Sequence, residues 1–389
     1  MATQIVDTIV HGGKVAFSSN AYKASIAIKG ESIVAVGNED IMPKAEKYID
    51  ASGKYVLPGA IDCHVHVREK PGDDWSVSTK AAALAGLTTI IPFGAYNAAE
   101  KETLPQAISR WKEEAQREAL VDYSFHYILS NTPYIMDSLP EAINMGVTSY
   151  KMFMTYDHRV SDSFIAKVME IVSDNGGIVQ LHAENGDVIE HLMNKAMAEG
   201  RTKPSDFPDT CPPWAEAEAI NRGILLGAMT DCPLYIVHLS TKLGLNRIKQ
   251  AQQQGQRVWT ETCPQYLLLD ETAMERLGPF AKIGPPLRSS DGVNQDAMWQ
   301  GLVNGYISTV GSDHSPAPTA MKELGWDNIF RSPKGDPIPF GAPSIETIVP
   351  LVYSEGVVKR NLPIWWMARV MAENPARIFG LYPKKGVIQ

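Results

Sequence analysis

Short apolar runs alternate with longer stretches of helical period along most of this chain. From Gly59 onward the runs cover 60–66, 88–93, 121–129, 147–154, 178–183, 234–240, 258–264 and 307–314. Between and after them lie 76–86, 103–118, 135–145, 161–175, 187–199, 215–229, 243–254 and 292–304, where apolar residues recur at three- and four-residue intervals. A continuous apolar run bounded by turn residues reads as a strand buried on both faces, and the three-to-four spacing reads as an amphipathic helix. Eight strand–helix units in alternation predict an α/β protein built on a closed parallel barrel of the TIM-like (β/α)8 kind. A doubly wound open sheet is the alternative. It usually has fewer strands and a G-x-G-x-x-G turn after its first strand, and no such turn follows here.

Residues 1–56 read differently. Runs at 5–10, 25–28 and 32–36 are separated by Gly12-Gly13, Gly30 and Gly37, which predicts a small antiparallel β unit with tight turns. It carries no cluster of acids, bases or ligands and reads as structural. The barrel is expected over 57–375, with a helical tail at 362–380 and a return toward the small β domain at 376–389. Pro- and Gly-rich loops fall at 203–213 and 315–343. The second is long for a compact domain and is a candidate active-site loop.

Composition narrows the function classes. The 389 residues are 44% hydrophobic and 21% charged, ordinary for a soluble globular protein. The net charge is -8, and no basic stripe interleaves with aromatics, so no nucleic-acid partner is expected. The start of the chain lacks a basic segment followed by a long apolar core, and no apolar run is long enough to cross a bilayer. The four cysteines, Cys63, Cys211, Cys232 and Cys263, are scattered without a Cys-x-x-Cys pair. That usage suggests reduced thiols in a cytoplasmic enzyme.

Candidate chemistry gathers where a barrel puts it, at the C-terminal ends of the strands. His64 and His66 end the first run in Asp62-Cys63-His64-Val65-His66 and, two apart on a strand, share a face. Lys151 ends the fourth run, His182 the fifth, His238 the sixth and Asp313 the eighth. A single strand-end histidine is more often packed or capping than ligating; the recurrence at matching positions is what predicts a metal site. Lys151 is the odd member, because an ammonium repels a metal and is costly to bury. It is either a buried lysine paired with an acid or a lysine carbamylated by carbon dioxide, which turns a cation into an anionic ligand with two oxygens. His314 is expected to face away from the axis, and His11, His126, His158 and His191 to be structural or exposed.

These segments resemble the amidohydrolase superfamily and, within it, the hydantoinase/dihydropyrimidinase group of cyclic amidases. The resemblance runs from about Tyr55 to the end. It rests on the stretch from Asp62 to His66, Lys151-Met-Phe-Met-Thr-Tyr156, His182-Ala-Glu-Asn-Gly-Asp, Val237-His-Leu-Ser, Glu261-Thr-Cys-Pro-Gln-Tyr-Leu, Pro285-Pro-Leu-Arg, Gly311-Ser-Asp-His-Ser and the segment from Asn374 to Gly386. It implies two divalent metal ions, expected to be Zn2+, bridged by N6-carboxylysine at Lys151. His64, His66 and Asp313 would hold one ion, and His182 and His238 the other. It implies ring opening of a small cyclic amide such as a hydantoin, a dihydropyrimidine or a related ureide or imide. Asp313 would shuttle the proton, and Tyr156 would donate to the developing oxyanion. A homo-oligomer, dimer or tetramer, is also implied.

Three departures from that pattern bear on substrate and assembly. The group grips its ring beside a serine before Pro-Pro-Leu-Arg and an asparagine in the last long loop. Gly284 and Phe340 stand there in this chain and are the substrate-contact candidates, the first removing a hydroxyl and the second adding bulk. The short loop after His66 looks closer to dihydroorotases and allantoinases. Arg68 sits at the offset where dihydroorotases bind a substrate carboxylate; the alternative is that it pairs with Glu69, Asp73 or Asp74. Family members also continue past a segment like Lys384-Lys385-Gly386 into strands of the small domain, so that domain is expected to be incomplete here. The rival functions are an allantoinase- or dihydroorotase-type enzyme, a barrel amidohydrolase acting on an exocyclic amide or imine, and, from another class, a non-catalytic dihydropyrimidinase-like interaction protein. The full set of candidate ligands argues against the last.

Overall fold

The computed structural model describes residues 5–67 and 73–389. The chain divides into two compact units. One holds the chain through Ile61, Gly86–Thr88 and Val349–Gln389; the other holds Asp62–Ala85 and Thr89–Ile348.

In the first unit a four-stranded sheet has the order Ser32–Gly37, Ser25–Lys29, Val6–His11, Ala45–Asp50. Val6–His11 runs antiparallel to Ser25–Lys29 but parallel to Ala45–Asp50. The three strands read from the sequence pair antiparallel, and Ala45–Asp50 adds a parallel strand that the reading did not include. The strand Ala45–Asp50 is almost wholly exposed and has a polar sequence, so it lacks the apolar alternation by which a half-buried strand is read. A second sheet joins Lys14–Ala16 to Ala21–Lys23 and Tyr55–Val56. Val15, Ala24 and Ile26 pack with Ile388, so the end of the chain contributes to this core. The tail forms short helical segments at Ile364–Ala368, Arg369–Glu373 and Asn374–Ile378.

The barrel strands are β1 (Ala60–Val65), β2 (Leu87–Gly94), β3 (His126–Ile128), β4 (Ser149–Phe153), β5 (Ile178–His182), β6 (Leu234–Ile236), β7 (Val258–Thr262) and β8 (Thr309–Val310). From β2 to β8 each pairs in parallel with the next, and β1 pairs with β2. A parallel bridge between Val65 and His314, with the His66 amide donating to the His314 carbonyl at 2.8 Å, joins the last strand to the first. Every residue of β1, β4 and β5 is buried, as a sheet covered on both faces requires. The third predicted strand is two pieces: Asp122–Tyr123 pairs with β2 ahead of β3.

Side-chain caps set several helix starts. Thr103 and Gln106 form a capping box before Leu104–Glu118, and Ser161, Asn185 and Thr241 cap the helices that follow them. Helix Leu104–Glu118 buries Leu104, Ala107, Ile108, Trp111 and Ala115, one stripe at helical spacing.

The segment 315–343 is not a bare loop: it contains a helix at Thr319–Glu323 and a turn at Leu324–Trp326. Two buried lysines tie it down. Lys282 donates from Nζ to the carbonyls of Ile329 at 2.9 Å and Ile338 at 2.8 Å. Lys322 donates to those of Pro279 and Lys282 at 3.3 and 3.1 Å. Carbonyls that loop burial takes from water find partners this way. Burial, with the neighbouring Lys322 charge, pushes the Lys282 ammonium down to about 7, and burial alone takes Lys322 to about 8. Among the described residues no helix is long and apolar enough to cross a membrane.

Candidate metal centre and its cavity

Strand alternation brings His64 and His66 to one side of β1. Lys151 stands on β4, His182 ends β5, His238 follows β6 by two residues and Asp313 follows β8 by three. All six candidate ligands converge. Nε2 of His64 lies 3.0 Å from Asp313 Oδ1, and Nε2 of His66 lies 3.6 Å from the same oxygen. The ligand atoms of His64, His66 and Asp313 lie within 4.8 Å of one another. Lys151 Nζ is 3.0 Å from His64 Nε2, and His182 Nδ1 is 2.8 Å from His238 Nε2. Tyr156, His238 and Asp313 all have left-handed backbones, with φ of 65°, 40° and 52°. Such conformations cost free energy for residues with a Cβ and gather where a fold must aim a side chain.

Buried carboxylates fix the imidazoles. The Glu261 carboxylate bonds His64 Nδ1, accepts from the His238 amide at 3.1 Å and accepts from the Tyr235 hydroxyl at 2.9 Å. Glu184 Oε2 lies 2.8 Å from His182 Nε2. Asp62 Oδ1 accepts from the amides of His64 at 3.2 Å and Ser312 at 3.0 Å, tying the end of β1 to the loop that carries Asp313. A carboxylate facing one ring nitrogen calls for N–H there and leaves a lone pair on the other. His64 Nε2 then keeps a lone pair, 3.0 Å from the Lys151 Nζ and 3.0 Å from Asp313 Oδ1, a grouping that suits a cation. The donor set of neutral imidazoles and carboxylate is one that divalent zinc takes, so these residues fit a metal.

Burial and the neighbouring His182 hold His238 well below the usual imidazole range, and burial lowers His182. Burial works to raise the Asp313 carboxyl, but the His64 and His66 imidazoles more than reverse it and keep it well below the carboxylate range. Burial, and then Glu184, push the Tyr156 phenol well above its ordinary value. Lys151 is 1% exposed, with its ammonium 4.2 Å from the Phe93 ring centre and 4.9 Å from that of Phe153.

A cavity of about 910 Å³ opens onto His66, Lys151, His182, His238, Asp313 and Tyr156. Gly284 and Phe340 stand in its wall, and the Phe340 and Tyr156 ring centres are 4.8 Å apart. Arg68 lies outside the described residues. His314 uses Nδ1 to accept from the amides of Ser344 and Ile345 at 3.2 and 3.3 Å. Sequence reasoning assigned no role to Glu184, Glu261 or Asp62. The available signal was a carboxylate within or just after an apolar strand run, a position that water does not reach.

A dihydroorotase-like family matches residues 53–244. The D-hydantoinase of Geobacillus stearothermophilus is 35% identical over 393 residues, covering 98% of this chain and 81% of the relative. The L-hydantoinase of Paenarthrobacter aurescens is 31% identical over 392 residues, covering 98% of this chain and 83% of the relative. Among solved structures, the dihydropyrimidinase from Brevibacillus agri superposes with a TM-score of 0.91 at 38% identity, covering 98% of this chain and 83% of that one. The chain belongs to the hydantoinase/dihydropyrimidinase family of the amidohydrolase superfamily.

Proposed function

We propose that this chain is a metal-dependent cyclic amidase that opens the ring of hydantoins, dihydropyrimidines or related cyclic ureides and imides. The observation that carries the reading is the convergence of His64, His66, Lys151, His182, His238 and Asp313 at the strand ends, beside one cavity. His64, His66 and Asp313 would hold one divalent ion, and His182 and His238 a second, both Zn2+ in this reading. Lys151, as N6-carboxylysine formed when Nζ adds to carbon dioxide and loses a proton, would be an anionic ligand shared with these residues. When bound, the ions supply a water nucleophile at neutral pH and polarise the scissile carbonyl.

The remaining work falls to the chain. An Asp313 carboxylate oxygen takes the proton of the attacking water and passes it to the ring nitrogen as the C–N bond breaks and the new C–O bond forms. As a carboxylate beside the bound ions, Asp313 would be the base at the outset. The Tyr156 hydroxyl, kept protonated by burial, donates to the oxygen that gains charge. Tyr156→Phe is expected to lower kcat by about 10²–10³, the size seen when one oxyanion donor is lost. Glu261→Gln weakens the hold on His64 and is expected to reduce zinc affinity about 10–100-fold, read by competition with a chelator.

The substrate is tested with zinc- and bicarbonate-supplemented protein on dihydrouracil, hydantoin, a 5-substituted hydantoin, allantoin, dihydroorotate and a simple cyclic imide. Turnover of the neutral rings supports the reading. Turnover of dihydroorotate alone would favour the second reading, to which the dihydroorotase-like match points. The reading also includes a cytoplasmic homo-oligomer, dimer or tetramer, which sedimentation of the purified chain checks.

A further inference from the structure

The Tyr156 hydroxyl lies in a slot with two walls. On one side is the Cα of Gly284: a Cβ built there would fall well inside contact distance of the Tyr156 hydroxyl oxygen. The next atoms it would meet are Tyr156 Cζ at 3.2 Å and Phe340 Cδ1 at 3.4 Å, so the hydroxyl alone is in severe conflict. On the other side is Glu184, 1% exposed, whose Oε2 accepts from the hydroxyl at 3.4 Å. The same oxygen faces His182 Nε2 at 2.8 Å, and Oε1 of Glu184 is buried without a hydrogen-bond partner. The Phe340 ring stands beside the phenol, its centre 4.8 Å away, and Tyr156 also borders the cavity.

We propose that Gly284 and Glu184 are positioning residues for the Tyr156 hydroxyl: glycine at 284 keeps the slot open, and Glu184 holds the hydroxyl beside His182 until its one proton turns to the substrate oxygen. The proposal rests on the reading of Tyr156 as the oxyanion donor. A serine at 284, which the family resemblance leads one to expect, would bring its Cβ to the place where the Tyr156 hydroxyl of this chain lies. Gly284 is then a requirement of where this chain puts its donor, not merely a lost polar contact. Glu184 joins that donor to a candidate metal ligand through one carboxylate oxygen.

A double-mutant cycle on the zinc- and bicarbonate-loaded full chain tests this, with hydantoin as the probe. Gly284→Ala is expected to lower kcat about 10–100-fold with KM within about threefold, since a displacement of about 1 Å in a reacting group costs up to about 10²-fold. In the Tyr156→Phe background the same alanine is expected to change kcat less than about twofold, because the atom it collides with is gone. An equal loss in both backgrounds overturns the proposal. Melting temperatures of the same four proteins give a readout independent of turnover: the alanine lowers Tm only when the hydroxyl is present. If Tyr156→Phe alone leaves kcat unchanged, the donor reading fails, and the Tm cycle still decides the packing. Zinc content separates the walls. Glu184→Ala is expected to lower zinc affinity about 10–100-fold through His182, whereas Gly284→Ala leaves it unchanged. Unchanged zinc affinity in Glu184→Ala would remove Glu184 from the proposal.

Discussion

Lys151→Ala is expected to lower ring opening by on the order of 10³-fold or more and to leave the protein with less than its full metal complement. Lys151 is 1% exposed, and its Nζ lies 3.0 Å from His64 Nε2. In its ordinary form it is a cation among groups that suit a cation themselves. Carbamylation would reverse that sign and turn repulsion into ligation. Alanine removes both the charge and the two oxygens, and a loss of several kcal/mol of charge stabilisation at the carbonyl corresponds to a rate factor of about 10³ or more. Bicarbonate labelled with carbon-13 should give one carbamate signal in the parent protein and none in the variant. A variant that keeps its metal and its rate would show Lys151 to be structural.

Asp313→Asn is expected to be nearly as severe, lowering kcat by about 10²–10⁴. The amide keeps the shape of the side chain but has no basic oxygen for a proton. It also breaks the set in which one oxygen faces His64 at 3.0 Å and His66 at 3.6 Å, so some metal should be lost as well. Adding excess zinc separates the two effects: rate that returns with metal reports ligation, and rate that stays lost reports proton transfer. Full activity in the zinc-loaded variant would mean that another group carries the proton.

The barrel was legible because its strands are buried on both faces and stand out as unbroken apolar runs, while the helices between them keep one stripe. The six candidate ligands were legible for a related reason. A charged or ligating residue at the end of such a run is conspicuous, and the barrel plan then places the ends together. What the sequence concealed follows from the same physics. Ala45–Asp50 is a strand by pairing rather than by pattern, because most of its residues are exposed. The helix at Thr319–Glu323 is short, and it sits among proline and glycine. The buried carboxylates of Glu184, Glu261 and Asp62 are matched to partners up to 250 positions away, as with Asp62 and Ser312, and no local spacing reports such a pairing. Gly284 is the sharpest case. Its meaning depends on where the Tyr156 hydroxyl comes to rest, and that is set by a left-handed residue on a different loop.

The central claim is that ring opening depends on metal held with a carbamylated Lys151. The most direct measurement is hydantoin turnover by protein stripped with a chelator and then restored with zinc, with and without bicarbonate. The account expects turnover to vanish on stripping and to return fully only when zinc and bicarbonate are supplied together. Turnover that survives removal of all metal, or protein shown to hold two zinc ions and a carbamate that opens none of the cyclic amides, would contradict it.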